Sequence, residues 1–447
     1  MGRKMKDSGI EWIGEIPEDW TIKRLKYQFD FGKGLSITKA DLVENGIAVI
    51  SYGQIHSKEN NGTEVNDSLI RYIPRDSEVV SPNSLLQKGD FVFADTSEDL
   101  AGCGNCVYVD SDNELYAGYH TIILKNKEDN GKYLAYLFQT DNWRKQIRAN
   151  VSGVKVFSIS RKILSEAINI VPPIEMQAKI VDILDEKCIE IDTAIKKTTD
   201  SMEAYKSLKQ SLITRAVTKG IRGEREMKDS GIEWIGRFPS DWELRPFRYI
   251  LKERQEKNAP IKSKERLSLS IDLGVTLYAE KTTNLDRFKD DFEQYKLAYP
   301  GDLVMNSMNM IVGASGVSDY FGCVSPVYYT FYDDTANHVT AKFCEYIFRS
   351  RAMMRVLFSM GKGIYAIVRG DDRVNTCRLK VSKEDLKSLK LPLPSLDEQQ
   401  EIVTYLDQKL SDIDTLIAKK EQLLSELEIY KKSLIYEYVT GKREVPA

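Results

Sequence analysis

The chain has 447 residues, of which 42% are hydrophobic and 29% charged, and its formal net charge is −3 at pH 7. No apolar run approaches the roughly 20 residues of a membrane span, and 6 cysteines in so long a chain argue against a disulfide framework. The weak negative charge argues against nucleic-acid binding through overall charge, so such a role would need a local patch or partner subunits.

The first element is the segment MKDSGIEWIG, which occurs twice without change, at 5–14 and at 227–236. No apolar core follows the first copy, so we predict no signal peptide and expect a cytoplasmic protein. Identical segments cannot distinguish two different ligands, so they mark what both halves share. The tryptophans in and after the copies are therefore predicted to contact the helical scaffold or a partner subunit: Trp12, Trp20, Trp234 and Trp242.

The repeat extends over much of the chain when Met5 is aligned with Met227 and this offset is kept, which we call the repeat alignment. Pro172 then matches Pro394, and Gln177 matches Gln399. The chain therefore consists of two halves of about 220 residues. We predict two mixed domains, each followed by a long helix: 1–172, 173–222, 223–393 and 394–447.

Each mixed domain combines short apolar runs with Gly, Asn and Asp. In the first domain GIAVIS, GDFVFAD and YHTIIL are typical of strands, and KYLAYLFQTDNWRKQI is typical of a helix. This pattern predicts a compact α/β domain in each half. The two domains match only loosely, as in KGDFVFAD at 88–95 and PGDLVMNS at 300–307.

A proline-rich break, IVPPIEMQ or LPLPSLDEQ, precedes each long helix. Apolar residues then recur at steps of three, four or seven over about 40 residues, which predicts a helix of roughly 60 Å with one apolar stripe. Ser395 and Glu398 fit a capping box at the start of the second helix, and Glu175 places negative charge at the start of the first. A single stripe needs a partner; the other helix is the simplest candidate, and another protein is the alternative.

Motifs for catalysis are missing from the sequence, which contains no phosphate-binding loop, dinucleotide fingerprint, nucleophile elbow or HExxH. The histidines His56, His120 and His338 are far apart in sequence, which favours structural roles over catalysis. Cys103 and Cys106 form a C-x-x-C pair without a second pair of ligands, so zinc or redox chemistry is disfavoured. VPPI at 171–174 lacks the polar and aromatic residues of an amino-methyltransferase motif. We therefore expect a chain without catalytic residues, metal or cofactor.

Candidate nucleic-acid contacts lie in the mixed domains. GKGIYAIVRG in the basic stretch 349–378 could bring cations to phosphates, SGVKVFSIS is its counterpart in the first half, and DTSED and NSMNM follow strands, where polar groups could read base edges. Solvated helix faces and ordinary loop polar groups are the alternatives. The candidates are Lys33, Ser36, Thr96, Ser97, Lys155, Phe157, Asn306, Ser307, Asn309, Lys362, Tyr365 and Arg369.

The combined pattern resembles the specificity subunit of type I restriction–modification systems. The resemblance rests on GIEWIGEIPEDW and GIEWIGRFPSDW, on the variable domains that follow, and on EMQAKIVDILDEK and DEQQEIVTYLDQK after the proline breaks. It implies an α+β fold class: two globular α/β target recognition domains in a tandem pseudo-repeat, joined by two long helices that pair as an antiparallel coiled coil.

The resemblance further implies that each domain reads one half of an asymmetric bipartite site on double-stranded DNA. The helices would set the spacing of the half-sites and dock two methyltransferase (modification) subunits, and restriction/translocase subunits would join them. S-adenosylmethionine, ATP and Mg would then be bound by the partner subunits, with no active site in this chain. Two alternatives stay open: a two-headed protein-binding scaffold that does not act on DNA, and a nuclease or methyltransferase with an unrecognised site.

Overall fold

The computed structural model describes residues 3–127, 129–281, 291–364 and 378–446. The chain forms two compact units: unit 1 comprises Met1–Thr198 with Gln422–Ala447, and unit 2 comprises Thr199–Glu421. Each unit therefore combines one mixed domain with the first part of one long helix and the last part of the other. The four segments predicted from the sequence are instead continuous stretches of the chain, with each long helix as a segment of its own.

The elements of the first half are mostly short and end in the first long helix, α6. Its strands are β1 (Met5–Asp7), β2 (Glu15–Pro17), β3 (Thr21–Arg24), β4 (Phe29–Lys33), β5 (Ile47–Ile50), β6 (Arg71–Ile73), β7 (Leu85–Leu86), β8 (Phe91–Ala94), β9 (Thr96–Ser97), β10 (Cys106–Tyr108), β11 (Leu115–Ala117), β12 (Thr121–Asn126), β13 (Phe157–Ser158) and β14 (Ile168–Val171). Its helices are α1 (Leu25–Gln28), α2 (Tyr52–Ile55), α3 (Gly131–Gln139), α4 (Asp141–Arg148), α5 (Arg161–Glu166) and α6 (Ile174–Lys219).

The second half follows the same plan and ends in the second long helix, α11. Its strands are β15 (Met227–Asp229), β16 (Arg237–Pro239), β17 (Glu243–Pro246), β18 (Lys252–Glu253), β19 (Leu267–Ser270), β20 (Gly274–Leu277), β21 (Lys296–Ala298), β22 (Leu303–Asn306), β23 (Ser315–Val317), β24 (Gly322–Val324), β25 (Tyr328–Tyr332), β26 (Lys362–Ile364), β27 (Arg378–Lys380) and β28 (Lys390–Leu393). Its helices are α7 (Tyr278–Lys281), α8 (Val339–Arg349), α9 (Arg351–Met360), α10 (Lys383–Ser388) and α11 (Leu396–Val439).

The segment that the sequence predicts as one helix is two, because a hydroxyl residue breaks it. Thr140, between α3 and α4, has extended backbone, and its Oγ1 accepts a hydrogen bond from Trp143 N at 3.3 Å. Ser350 does the same between α8 and α9, accepting from Met353 N at 3.3 Å. Such a side chain satisfies one of the unpaired N–H groups at a helix start. The resulting turn lets both helices of each pair bury an apolar face.

The domain cores lie between these helix pairs and an antiparallel sheet. In unit 1 the sheet order is β10-β8-β12-β4, and a second sheet has the order β6-β5-β11-β7. Phe91 and Phe138 pack with ring centroids 4.9 Å apart, and Trp143 lies 4.4 Å from Phe138. In unit 2 the sheet order is β18-β25-β22-β23, with Phe247 and Phe331 at 4.8 Å in the core.

The two long helices pair in antiparallel fashion within each unit. In unit 2 Lys209 binds Asp414, and Lys420 lies over the ring of Tyr205, so rising numbers on one helix meet falling numbers on the other. In unit 1 Lys431 binds Asp192. The repeat alignment converts one ion pair into the other, so the two pairs are equivalent. These contacts confirm the predicted antiparallel pairing of the helices with each other.

The first turns of the long helices show why a proline and a glutamine recur in both halves. Gln177 Nε2 donates to Pro172 O at 2.9 Å, and Gln399 Nε2 donates to Pro394 O at 2.9 Å. Each glutamine thus ties the first turn of its helix to the proline break that precedes it. Within the residues that the structure describes, no helix is both long and apolar enough to cross a membrane.

Candidate nucleic-acid interface

In unit 1 the ends of several strands meet at one edge of the mixed domain. Ala94, at the end of β8, lies opposite Thr121 at the start of β12, and β4 ends beside the same part of β12. The parallel strands β5 and β11 end side by side at Ile50 and Ala117. The adjoining loops carry residues 33–36, 51–56, 95–97, 118–120 and 152–158, which we call the first loop edge.

The first loop edge brings together the predicted DNA-binding residues of the first half: Lys33, Ser36, Thr96, Ser97, Lys155 and Phe157. Strand β13 pairs with β9 so that Phe157 lies opposite Ser97. Lys33, Ser36 and Lys155 are exposed, whereas Thr96 and Phe157 are half-buried. The prediction that Ser97 contacts DNA is corrected, because its side chain is buried and its hydroxyl donates to Asp99 O at 2.7 Å. Ser97 therefore shapes the loop from inside.

Two histidines that are distant in sequence meet on the same edge. The ring of Tyr52 contacts His56 at 6.3 Å, His120 at 5.5 Å and Tyr119 at 5.5 Å between centroids. Asp95 lies 3.1 Å from Nδ1 of His120. Spacing along the sequence favours structural roles for both histidines, because it does not show that they share a neighbour. The signal that could have found them is that both follow apolar runs, His56 after β5 and α2, and His120 after β11.

Unit 2 has a corresponding edge. Strand β22 ends at Asn306, opposite Tyr328 at the start of β25. Val381 N donates to Ser307 O at 3.0 Å, which attaches the end of the β26–β27 hairpin to this edge. We call residues 306–314, 326–328, 362–363 and 379–383 the second loop edge.

The predicted residues of the second half are only partly available on this edge. Asn306 is half-buried, and its Oδ1 accepts from Met308 N at 3.1 Å, whereas Asn309 is exposed. The prediction that Ser307 contacts DNA is also corrected, because its side chain is buried. Its Oγ has no partner among the residues that the structure describes. Lys362 is exposed, with Nζ 3.5 Å from Asp385. Tyr365 and Arg369 lie outside the described residues.

Each loop edge contains an equivalent backbone hydrogen bond, although the side chains of the two edges differ. In unit 1 Ile159 N donates to Asp95 O at 2.7 Å, and in unit 2 Val381 N donates to Ser307 O at 3.0 Å. Ile159 and Val381 match in the repeat alignment. The acceptor residue is Asp in one edge and Ser in the other. Equivalent backbone positions therefore carry different residues in the two units.

Comparison with known proteins identifies this arrangement. The family model for the type I restriction modification DNA specificity domain matches residues 17–199 and 371–428, which together are more than half of the chain. The chain belongs to this family. Two relatives among curated proteins are chains of Methanocaldococcus jannaschii, both named as type I restriction enzyme specificity subunits. The MjaX subunit is 21% identical over 97% of this chain and 96% of its own length. The MjaVIII subunit is 23% identical over 47% of this chain and 48% of its own.

Solved structures show the same fold. A chain from a structure of the assembly and conformational transition of a type I R-M system has a TM-score of 0.68, with 14% identity, over 96% of this chain and 99% of that one. The HsdS subunit of Thermoanaerobacter tengcongensis has a TM-score of 0.52, with 15% identity, over 96% of this chain and 98% of that one. The predicted α+β fold class, with two tandem mixed domains on long helices, is confirmed.

The second loop edge of this specificity-family chain borders a basic cavity of about 530 Å³. Four lysines line it, with Tyr329 and one carboxylate, Glu384, among the other residues: Lys296, Lys362, Lys380 and Lys383. Lys296 Nζ donates to Tyr328 O at 2.6 Å, and burial, followed by the nearby Lys383, lowers the pKa of Lys296. Lys383 is partly neutralised by Glu253 at 2.7 Å. Closely spaced cations of this kind suit a phosphate.

The four repeat tryptophans separate into two kinds. Trp12 and Trp234 are half-buried, but Trp20 is 0% exposed and Trp242 is 1% exposed. Trp20 belongs to the core that includes residues of α6 and α11 in unit 1, and Trp242 belongs to the corresponding core of unit 2. Of the two predicted roles, Trp20 and Trp242 have the scaffold contact, because their side chains hold the repeated segment on the chain's own helices. The other predicted role, contact with a partner subunit, is corrected for these two residues because both side chains are buried.

The junction around Trp242 contains a buried carboxylate. Trp242 Nε1 donates to Glu398 Oε2 at 3.0 Å, and Arg225 Nη2 donates to Glu398 Oε1 at 2.6 Å. The predicted capping box at Ser395 is therefore only half formed: Ser395 Oγ accepts from Glu398 N at 3.4 Å, but the Glu398 side chain turns to Arg225 and Trp242. In the repeat alignment, the position of Glu398 is held in unit 1 by Met176.

The C-x-x-C pair lies inside the domain of unit 1. Cys103 and Cys106 are both buried, and burial raises the pKa of each thiol, that of Cys106 to about 12. A raised pKa disfavours the thiolate that metal binding and redox chemistry require. In the described parts of the chain, no cluster of three or more His, Cys, Asp or Glu side chains is placed to hold a metal ion.

Proposed function

We propose that this chain is the DNA-recognition subunit of a type I restriction–modification assembly. Each loop edge reads one half of an asymmetric bipartite site on double-stranded DNA. The observation that carries the proposal is the pair of equivalent loop edges. Each edge contains the same backbone hydrogen bond, donated by Ile159 or Val381, but the exposed candidates differ: Lys33, Ser36 and Lys155 in unit 1, and Asn309 and Lys362 in unit 2. Membership of the specificity family and the names of the relatives support it.

The proposal assigns different tasks to the rest of the chain. The paired helices set the distance between the half-sites and dock two methyltransferase subunits, and restriction/translocase subunits complete the assembly in the cytoplasm. S-adenosylmethionine, ATP and Mg belong to those partners, and base methylation is their chemistry. A net charge of −3 fits this division, because the partners would then supply much of the phosphate binding.

The test is a gel-shift titration with selected and random DNA, with and without the methyltransferase subunits. Sequence-selective binding in the presence of those subunits is the expected result. Absence of selective binding under both conditions would favour the rival function, a two-headed protein-binding scaffold. Methylation or cleavage by the purified chain alone would instead point to an enzyme with an unrecognised site.

Substitution of a lysine in the basic cavity tests its role as a phosphate contact. Lys362→Ala is expected to weaken binding to all sequences alike and to reduce the salt slope of log K by about 1, because one phosphate contact releases about one counterion. Lys252→Ala is the matched control: Lys252 is also exposed and ion-paired, but it lies opposite Tyr332 at the far end of β25. A changed base preference with an unaltered salt slope would contradict the assignment.

Insertion of one heptad into each long helix tests the spacing role. Seven residues add about 10 Å, or about three base pairs of B-DNA. We expect the gap in the methylated motif to lengthen while both half-sites stay the same, as measured by sequencing of methylated DNA. An insertion into α6 alone is the control, because it breaks the register that aligns Lys209 with Asp414, and it should abolish methylation. An unchanged gap after the double insertion would show that the helices do not set the spacing of the half-sites.

A further inference from the structure

His120 has an unusual backbone for its residue type. It lies between β11 and β12 with φ of +54°, in the left-handed region that non-glycine residues seldom adopt. Such a conformation persists only where the surroundings fix it, and it is concentrated at ligand contacts. Here Asp95 N donates to His120 O at 3.1 Å, and the rings of Tyr52 and Tyr119 lie 5.5 and 6.0 Å from the imidazole.

The contact with Asp95 determines what the imidazole can offer. Nδ1 of His120 lies 3.1 Å from Asp95 Oδ1, and a carboxylate only accepts, so Nδ1 carries the proton. Nε2 of the neutral ring is then an acceptor. The side chain is 56% exposed, and among the described residues Nε2 has no partner. The ring is therefore held by one nitrogen and presents the other to solvent.

His56 shows the contrasting, structural arrangement on the same loop edge. Its Nε2 donates to Thr96 O at 2.8 Å, and its Nδ1 accepts from Asn105 Nδ2 at 3.1 Å. Both ring nitrogens are therefore used within the domain. This leaves His120 as the histidine of this pair that can contact a ligand.

We propose that His120 is a specificity-determining residue of the first loop edge, and that its Nε2 accepts a hydrogen bond from the exocyclic amino group of adenine or cytosine. The inference rests on the proposed DNA-recognition function. A carboxylate beside the imidazole repels phosphate, so this part of the edge suits a base. In the major groove, adenine N6 and cytosine N4 are the donors that an acceptor can distinguish from the other bases.

The test uses the chain assembled with its methyltransferase subunits, S-adenosylmethionine and a DNA library randomised over both half-sites. His120→Gly removes the imidazole and suits the left-handed backbone, so the midpoint of thermal unfolding should not fall. His120→Asn, which also tolerates this backbone, is the second variant. For both we expect discrimination at one base position of one half-site to fall by about 5- to 150-fold, with the other half-site unchanged.

His338→Gly is the matched control in unit 2. His338 has φ of +52°, and its Nδ1 lies 3.5 Å from Asp333. Its ring lies against Gly301, which precedes β22 at the end opposite Asn306. The methylated motif of this variant should match that of the wild type, and a relaxed position there would show that releasing the strained backbone alone alters selection, which would overturn the proposal.

The outcomes separate the inference from the function on which it rests. A selective wild-type assembly with an unchanged motif in both His120 variants would overturn the inference alone. Uniform weakening without loss of base preference, or a fall in the unfolding midpoint of both variants, would show a phosphate contact or a structural role and would also overturn it. A wild-type assembly without any sequence preference would overturn the proposed function and the inference together.

Discussion

Replacing residues 243–393 with the corresponding domain of another specificity-family chain is expected to change one half of the methylated sequence completely and leave the other half intact. Glu243 lies opposite Leu393 in the pairing of β17 with β28, so the chain enters and leaves this domain at adjacent positions. The exchange removes the whole second loop edge and leaves Trp242 and α11 in place. The first loop edge belongs to unit 1 and uses none of the exchanged residues. Sequencing of methylated DNA measures the result.

The first half of the chain provides the matched exchange. Thr21 lies opposite Val171 in the pairing of β3 with β14, so residues 21–171 form an equivalent module. Its replacement should change the other half of the motif. If either exchange altered both halves, the two loop edges would not read DNA independently. If neither altered the motif, recognition would lie outside the mixed domains.

The long helices and the proline breaks before them could be predicted from the sequence because these are the parts that both halves repeat. Pro172 and Gln177 recur as Pro394 and Gln399, and the structure shows the reason: in each half the glutamine side chain bonds the proline carbonyl at the start of a long helix. The apolar stripe likewise predicted the pairing of α6 with α11. Contacts that depend on local spacing along a helix can be inferred from periodicity alone.

The loop edges could be predicted only as regions. His56 and His120 meet through Tyr52, but no sequence periodicity links residues that follow different strands. Thr96 and Ser97 are neighbours in one polar segment, yet Thr96 is half-buried and Ser97 is buried, because successive side chains of a strand point to opposite faces. A register shift of one residue would exchange their roles, and the sequence does not specify that register.

The side chain of Glu398 shows a different limit of prediction. A Ser-x-x-Glu sequence at a helix start predicts a capping box, in which the carboxylate returns to the backbone. The carboxylate of Glu398 is instead 1% exposed and binds Arg225 and Trp242, which precede the exchanged residues 243–393. Arg225 also lies over the Trp242 ring at 5.2 Å. This tertiary ion pair replaces the local contact because a buried guanidinium and indole N–H both require an acceptor.

Removal of that carboxylate is expected to have the largest effect on stability. Glu398→Ala removes the 2.6 Å acceptor of the 17%-exposed Arg225 and the acceptor of the Trp242 indole N–H, and loss of one partner from a buried ion pair costs about 3–5 kcal/mol. Glu398→Met should also destabilise unit 2, although Met176 holds the same position in unit 1, because Arg225 is then left with its longer contacts to Asp241 at 3.6 Å and to the Lys219 carbonyl at 3.3 Å. Urea unfolding followed by hydrogen exchange of amides in residues 243–393 measures the change.

Glu401→Gln is the control one turn along α11. Glu401 binds Arg222 at 2.8 Å, but the two side chains are 47% and 45% exposed, so solvent screens the pair and its loss should cost no more than about 1 kcal/mol. Equal losses for Glu398→Ala and Glu401→Gln would show that burial of the Glu398 carboxylate is not what stabilises the junction. Loss of amide protection in residues 21–171 of the Glu398→Ala variant would contradict the prediction, because those residues belong to unit 1. The expected pattern, a large loss confined to unit 2, follows because the Glu398 partners Arg225 and Trp242 both belong to that unit.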